Sequence, residues 1–328
     1  MRYLITGGAG FIGSHLADRL LGRGDEVVGL DDLSTGAARN VEHLAEDPRF
    51  RLVRGSILDA DALEALVAEA DVVVHLAAAV GVKLIVEKPL QSLITNIRGT
   101  EIVLETAARS GSKVLLTSTS EIYGKNAKGP LHEEDDRILG SPFKARWSYS
   151  TSKAVDEIFA RAYWRDRGVP TIVGRLFNCV GPRQTGEFGM VVPTFVRQAL
   201  AGQDLTVFGD GEQRRSFCHV LDTVGALVAL LDHPGAIGDV FNVGAPAELS
   251  MNALARMVIA TVGSSSRMVH VPYDEAYEEG FEDMERRVPN ISKIHALTGW
   301  EPTLGLERIV ADVIAFERRV PATAAPGE

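Results

Sequence analysis

Tyr149 and Lys153 stand four residues apart in the run Y-S-T-S-K. On a helix that spacing puts both side chains on one face. A free tyrosine titrates near pH ~10, too high for a base at neutral pH. A neighbouring ammonium favours the phenolate. Such a pair can take the proton of an alcohol while hydride leaves the same carbon. Thr119 closes the run Thr117-Ser118-Thr119, and its hydroxyl suits a hydrogen bond to that alcohol. Tyr/Lys pairs also occur on solvated helices, so the meaning of this one depends on its surroundings.

The surroundings begin at the N-terminus, MRYLITGGAGFIGS. Gly7, Gly10 and Gly13 form G-x-x-G-x-x-G between a predicted strand (3–6) and helix (13–21). Glycines there let the backbone turn tightly and approach an anion, and the helix N-terminus offers N–H groups to a pyrophosphate. The spacing alone also fits a tight strand–helix turn without a ligand. Asp31 ends the second predicted strand (26–30). A carboxylate there accepts the ribose hydroxyls of NAD and repels the 2′-phosphate of NADP. Asp32 reads as a solvated turn residue.

Strands and helices then alternate. Strands are predicted over 51–54, 71–75, 114–117 and 171–176, with helices over 59–69, 89–110 and 150–166. That rhythm predicts a Rossmann-type, doubly wound parallel α/β sheet covered on both faces. After Phe177 it changes. Residues 181–189 read as a loop, 191–201, 222–231, 251–261, 290–297 and 305–318 as helices, and 204–208 and 240–243 as strands, with Ser250 as a helix cap. The expected division is an NAD-binding domain over 1–177, to which 219–244 returns. A smaller C-terminal substrate-binding domain over 178–218 and 245–318 and a disordered tail over 319–328 complete it.

Composition narrows the classes. The 328 residues are 45% hydrophobic and 24% charged with net charge -10, which suits a soluble enzyme and disfavours nonspecific nucleic-acid or membrane binding. No uncharged run is long enough for a bilayer, and no signal peptide is read. Cys179 and Cys218 do not make a disulfide framework, and C-x-x-C and zinc-ligand spacings are absent, so a reducing, cytoplasmic setting without a metal is expected.

The segments GGAGFIGSHL, DDLSTG, HLAA, NIRGT, TSTSEIYG, YSTSK, RLFNCVGPR, GDGEQRRSF and RRVP, in that order, resemble the extended short-chain dehydrogenase/reductase family. The likeness is to its nucleotide-sugar epimerases, dehydratases and decarboxylases. It implies a tightly held NAD regenerated each turnover, a UDP- or dTDP-sugar between the domains, and a homodimer joined through helices 89–110 and 150–166. It places Phe11 and Ile12 at the pyrophosphate and Ser56 and Ile57 near the adenine. Leu76, Ala77, Ala78 and Thr117 fall along the cofactor cleft, and Asn96 supports the active-site helix. Ser56 departs from the aspartate usual at its position. Lys153 is implied to reach the nicotinamide ribose as well as Tyr149.

The same resemblance gives Asn178 and Arg215 to the diphosphate, with Ser120 beside the sugar. Val192 and Phe208 fall near the uracil, though each apolar residue by itself reads as plain core. Arg183 is a contact for phosphate or a sugar carboxylate, or a solvated loop residue. Thr119-Ser120-Glu121 lacks the acidic pair of the dTDP-glucose 4,6-dehydratases and is similar to the T-S-E of UDP-glucuronate decarboxylases. Glu121 otherwise reads as a residue capping the next turn. Arg287, in Arg286-Arg287-Val288-Pro289, matches the decarboxylases' K/R-R-x-P, while epimerases carry a diphosphate-gripping arginine near the same place. The expectation is therefore a UDP-glucuronate decarboxylase forming UDP-xylose, with a UDP-sugar 4-epimerase as the rival. The long loops around 135–147 and 181–190 permit either. A non-catalytic NAD-bound scaffold gives no reason for Thr119, Tyr149 and Lys153 to occur together.

Overall fold

The computed structural model describes residues 1–80, 88–144, 147–186, 190–272, 284 and 286–319. Strands β1 (Arg2–Thr6), β2 (Glu26–Asp31), β3 (Phe50–Arg54), β4 (Val72–His75), β5 (Lys113–Thr119) and β6 (Thr171–Leu176) come first. Strands β7 (Cys179–Val180), β8 (Leu205–Phe208), β9 (Arg214–Ser216), β10 (Cys218–His219), β11 (Val240–Val243), β12 (Glu248–Ser250), β13 (Met268–Val271) and β14 (Arg286–Arg287) follow. The helices are α1 (Phe11–Gly22), α2 (Ala60–Ala68), α3 (Pro89–Leu93), α4 (Gly99–Ser110), α5 (Ser148–Arg167), α6 (Val191–Leu200), α7 (Val220–Asp232), α8 (Met251–Val262), α9 (Ser292–Thr298) and α10 (Leu306–Glu317).

Seven strands form one parallel sheet in the order β11-β6-β5-β4-β1-β2-β3. The order reverses between β1 and β4, so the helices leaving those strands cover opposite faces and a crevice opens at their carboxyl ends. The apolar run Val72-Val73-Val74 is buried on both sides, as a central parallel strand requires. Leu16 and Leu20 of α1 pack with Ile5, Val224 and Leu227 on one face. On the other, Leu63, Val67, Val103 and Leu104 pack with Leu4 and Val114. A separate apolar cluster joins α6, α8 and α10 around Phe195, Leu254, Val258 and Val313.

The predicted elements recur with three instructive differences. The single helix expected over 89–110 contains a π-helical turn, Ile94–Arg98, between α3 and α4. The wider turn carries Asn96 inward, where it is 1% exposed and bonded to Ala79 and Ser152. The helix expected from residue 290 starts later. Asn290 N–H instead donates to Leu131 O at 2.8 Å, and Pro289 bridges to Leu131, which extends that segment. Strands β7, β9, β10, β12 and β14 are two or three residues long, too short for a period to register.

Ser250 caps α8 by accepting from Ala253 N–H. The predicted tail lies outside the described residues apart from Arg319, as do parts of both loops bordering the pocket. Among the described residues no helix is long and apolar enough to cross a membrane, and no cluster of His, Cys, Asp and Glu could hold a metal ion.

Candidate active site

The glycine turn lies at the crevice. Gly7 adopts φ +75°, and a Cβ there would sit 3.0 Å from Ala77 N. A Cβ on Gly13 would lie 2.1 Å from Gly7 O, so that position admits no larger residue. Helix α1 starts at Phe11 behind Gly10, with no side-chain cap. Its first-turn N–H groups, which a helix cannot satisfy internally, remain for an anion. The spacing missed Gly8, whose Cα side packs against Gly29 of β2; a Cβ on Gly8 would come within 2.5 Å of Gly29 Cα.

Asp31 ends β2 as expected and is 7% exposed. Its Oδ2 accepts from Ala9 N–H at 2.9 Å and its Oδ1 from Leu33 N–H at 2.8 Å, so it also staples the glycine turn to the strand. Burial raises its pKa, and these backbone donors oppose that. The carboxylate retains acceptor capacity for a ribose hydroxyl. Asp32 is exposed and accepts from Ser34. An uncapped helix N-terminus, a cradle that a Cβ would fill and a carboxylate at the end of β2 together fit a dinucleotide.

Other predicted cofactor residues line the same cleft. Leu76 and Ala77 donate their N–H groups to Thr6, and both side chains are half-buried, as is Ala78. Asn96 accepts from Ala79 N–H at 2.8 Å and donates to Ser152 Oγ at 3.3 Å, tying the cleft edge to α5. Thr117 donates to His75 O at 3.1 Å. Ile57 is buried in the core and packs over Gly99. Ser56 Oγ accepts from Leu58 N–H.

Strand β5 delivers Thr119 to the cleft, and a 3-10 turn, Ser120–Tyr123, follows it. Thr119 Oγ1 accepts from Glu121 N–H at 3.2 Å, which fixes the turn. Ser120 is 1% exposed beneath it. Ser150 Oγ donates to Glu121 O at 2.8 Å and so stitches that turn to the first turn of α5, where Tyr149 sits. Tyr149 is 9% exposed and belongs to none of the apolar clusters. Burial raises the pKa of its phenol, Glu121 and Asp156 raise it further, and Arg287 opposes them.

One expectation changes here. Lys153 was expected to present its ammonium to Tyr149. It donates instead to Asp156 Oδ2 at 3.1 Å, with the two side chains 3% and 0% exposed. The reason is electrostatic, since a buried ammonium needs a counter-charge and Asp156 supplies it one turn away.

Across the cleft, Arg287 Nη1 donates to Glu121 Oε1 at 3.1 Å, with side chains 11% and 16% exposed. Nη2 of the same guanidinium donates to Asn178 Oδ1. Asn178 Nδ2 in turn donates to Ser216 O at 2.8 Å. Strand β14 sets Arg287 beside Arg215 of β9, which is 8% exposed. The structure thus unites Glu121, Arg287, Asn178 and Arg215 around the end of β5.

Two predicted substrate residues lie elsewhere. Val192 is 1% exposed in the apolar cluster of α6, α8 and α10, so its methyls are core. Arg183, at φ +69°, pairs with Asp18 of α1 at 2.8 Å and fastens the loop after β7 to that helix. Phe208, at the end of β8, remains 37% exposed.

A buried hub beneath the site was not read from the sequence. Arg175 makes two bonds to Glu157 at 2.7 and 2.9 Å and one to Tyr123 Oη at 2.8 Å. Tyr123 donates to Asn242 Oδ1 at 2.7 Å, and Asn242 donates to Leu131 O and Asn290 O. This hub ties the turn carrying Glu121 to the segment just after Arg287. Its residues fall in separate strands and turns, so no local spacing announces it.

The family model of GDP-mannose 4,6 dehydratase matches residues 4–313. The chain belongs to the extended short-chain dehydrogenase/reductase family. Its place is in the branch of NAD-dependent nucleotide-sugar epimerases, dehydratases and decarboxylases. It is 39% identical over 320 residues to the UDP-N-acetyl-alpha-D-glucosaminuronate decarboxylase of Bacillus cytotoxicus, covering 97% of this chain and 98% of that one. It is 39% identical over 329 residues to UDP-glucuronic acid decarboxylase 1 of Arabidopsis thaliana, covering 98% and 71%. Among solved structures it resembles the UDP-glucuronic acid 4-epimerase from Bacillus cereus in complex with UDP-glucuronic acid and NAD. That likeness has TM-score 0.88 and 30% identity and covers 97% of this chain and 99% of that one.

Proposed function

We propose that this chain is an NAD-dependent UDP-glucuronate decarboxylase that forms UDP-xylose through a 4-keto intermediate. The observation that carries the reading is the Glu121–Arg287 pair at 3.1 Å beside Tyr149. A sugar whose C4 hydroxyl met Tyr149 would turn its C5 carboxylate toward this pair, and a guanidinium there supports the reading as a group able to hold it. The decarboxylase names of the relatives at 39% identity support it.

Gly7, Gly10, Phe11, Ile12, Gly13 and Asp31 would hold NAD, which supplies a hydride acceptor when bound. Tyr149 takes the C4 hydroxyl proton, and Thr119 hydrogen-bonds the same oxygen. With C4 a ketone, the C5 carboxylate is a β-keto acid. The bond from C5 to the carboxyl carbon breaks as CO2 leaves, and its electron pair passes to the ketone oxygen as an enolate. A proton must then return to C5, and the C4 ketone must take back the hydride on carbon and the Tyr149 proton on oxygen to give UDP-xylose. Arg287 holds its own protons too strongly to give one up readily, so it serves as a clamp or orients a water that does. Glu121 already pairs with Arg287, so the sugar carboxylate must compete for the guanidinium and is held less tightly than by an unpaired arginine. Asn178 and Arg215 grip the diphosphate, Arg215 with the planar fork suited to phosphate oxygens.

The second reading is 4-epimerisation, favoured by the likeness to the Bacillus cereus epimerase structure. Incubation with UDP-glucuronate and mass analysis of the product separates the two. Loss of CO2 supports decarboxylation. An unchanged mass with a new retention time supports epimerisation and sinks the first reading. A parallel incubation with the 2-N-acetylated uronate tests the C2 substituent.

A homodimer through α3, α4 and α5 belongs to the same proposal. Leu90 of α3, Ile94 of the π-helical turn after it and Ile158 of α5 are 70%, 45% and 63% exposed, which suits a covered face. Sedimentation showing only monomer at micromolar concentration would remove it.

A further inference from the structure

Asp156 was not among the residues read as functional, yet it is the most deeply buried carboxylate near the site, at 0% exposure. Its Oδ2 accepts from Lys153 Nζ at 3.1 Å. Its Oδ1 is buried without a well-formed hydrogen bond. The Thr100 hydroxyl of α4 beside it works to keep the carboxyl ionised. Thr100 Oγ1 also lies 3.2 Å from His75 Nε2, and His75 Nδ1 lies 2.7 Å from Thr6 Oγ1. A buried polar chain therefore runs from β1, at the glycine turn, through β4 and α4 to the carboxyl under Lys153.

Burial and the charge of Lys153 lower the His75 pKa to about 3, so His75 is neutral and brings no second cation. The charged neighbours are then few. Asp156 faces Lys153 and, more weakly, Glu157. Tyr149 faces Glu121 from the 3-10 turn, Asp156 from its own helix and Arg287 from β14.

We propose that Asp156 is a positioning residue that anchors the Lys153 ammonium below the cleft and so limits how much of that positive charge Tyr149 meets. Neutralising residue 156 removes one negative charge near the phenol and frees the ammonium toward it. Both changes favour the phenolate. The inference rests on the reading of Tyr149 as the group that takes the proton, but not on which sugar it serves.

The test is carbon-13 NMR of protein labelled at tyrosine Cζ, with saturating NAD+ and no sugar. The chain has six tyrosines, and Tyr149→Phe assigns the resonance. In Asp156→Asn the Tyr149 resonance should titrate at least about one pH unit below its wild-type value, and melting measures the separate structural contribution. Asp156→Ser, which keeps a smaller acceptor, is the second variant. An unmoved or raised titration, a Tyr149 that stays protonated in both proteins, or loss of folding in both variants overturns the proposal. A protein that shows the shift yet leaves UDP-glucuronate untouched keeps this inference and loses the proposed reaction.

Discussion

Arg287 Nη1 reaches Glu121 Oε1 across 3.1 Å, joining residues 166 positions apart in the chain. The turn after β5 and the short strand β14 are thereby held to each other at the mouth of the site. Neither position is remarkable alone, since a carboxylate after a strand and an arginine in a loop are both common. Their contact makes a site in which a guanidinium is shared between a protein carboxylate and the amide of Asn178.

Removing one partner exposes the other. Glu121→Ser should lower decarboxylation of UDP-glucuronate by at least about tenfold, about 1.4 kcal/mol of barrier. It should also lower the melting temperature, because a largely buried guanidinium loses its counter-charge. Steady-state rates with calorimetry on the same protein check both, and a full rate in this variant removes Glu121 from the mechanism.

Tyr149→Phe keeps the ring and loses the hydroxyl. The expected kcat falls by about 10² to 10⁴, the range for removal of a general acid–base. NAD binding, read by calorimetric titration, should hold within about threefold. A variant with near wild-type turnover would mean that another group moves the proton.

Gly13→Ala places a methyl 2.1 Å from Gly7 O, and neither backbone can yield without opening the turn. NAD affinity should weaken by more than about tenfold, at least ~1.4 kcal/mol. Gly22→Ala, where a Cβ meets nothing within 4 Å, is the control on the same helix and should bind as wild type. Equal affinities for the two variants would contradict the placement of the dinucleotide.

Acid should destabilise the fold in a defined window. Burial lowers the pKa of His15 to about 4 and of His75 to about 3, against an unfolded value near 6.5. The unfolded chain therefore binds more protons below pH ~6.5. Stability is fully present above that pH and declines as pH falls toward the folded pKa values. Each histidine contributes a slope of up to about 1.4 kcal/mol per pH unit. Urea midpoints at pH 7, 6 and 5 should fall in that order, and less steeply in His15→Asn. A flat profile would show that both rings stay solvated.

The parallel sheet was legible because most of its strands are apolar runs flanked by helical spacing, and local pattern suffices for that. The glycine turn, Asp31, Thr119, Tyr149 and Lys153 were legible as types at fixed offsets. Asp156 was in view, three residues past Lys153 and on the same face, but a charged residue there passes for a solvated one until burial is known. Val192 read as plain core by itself and near the uracil only through the resemblance, and its burial agrees with the first. The Arg175–Tyr123–Asn242 hub joins β6, β11 and the turn after β5, and only tertiary packing brings these together. The strand register that sets Arg287 beside Arg215 is two residues long and has no period to read.

The π-helical turn at Ile94–Arg98 makes chain length itself a constraint here. It holds one residue more than an α-helical turn would, and each residue rotates a helix by about 100°. Swapping a side chain in that turn leaves the rotation intact. Deleting any one of the five would wind the segment into plain α-helix and carry Asn96 off its axis, parting the rim of the crevice from α5. Apart from Asn96, whose side chain makes the tie, the length of this stretch constrains the crevice more than its side chains do.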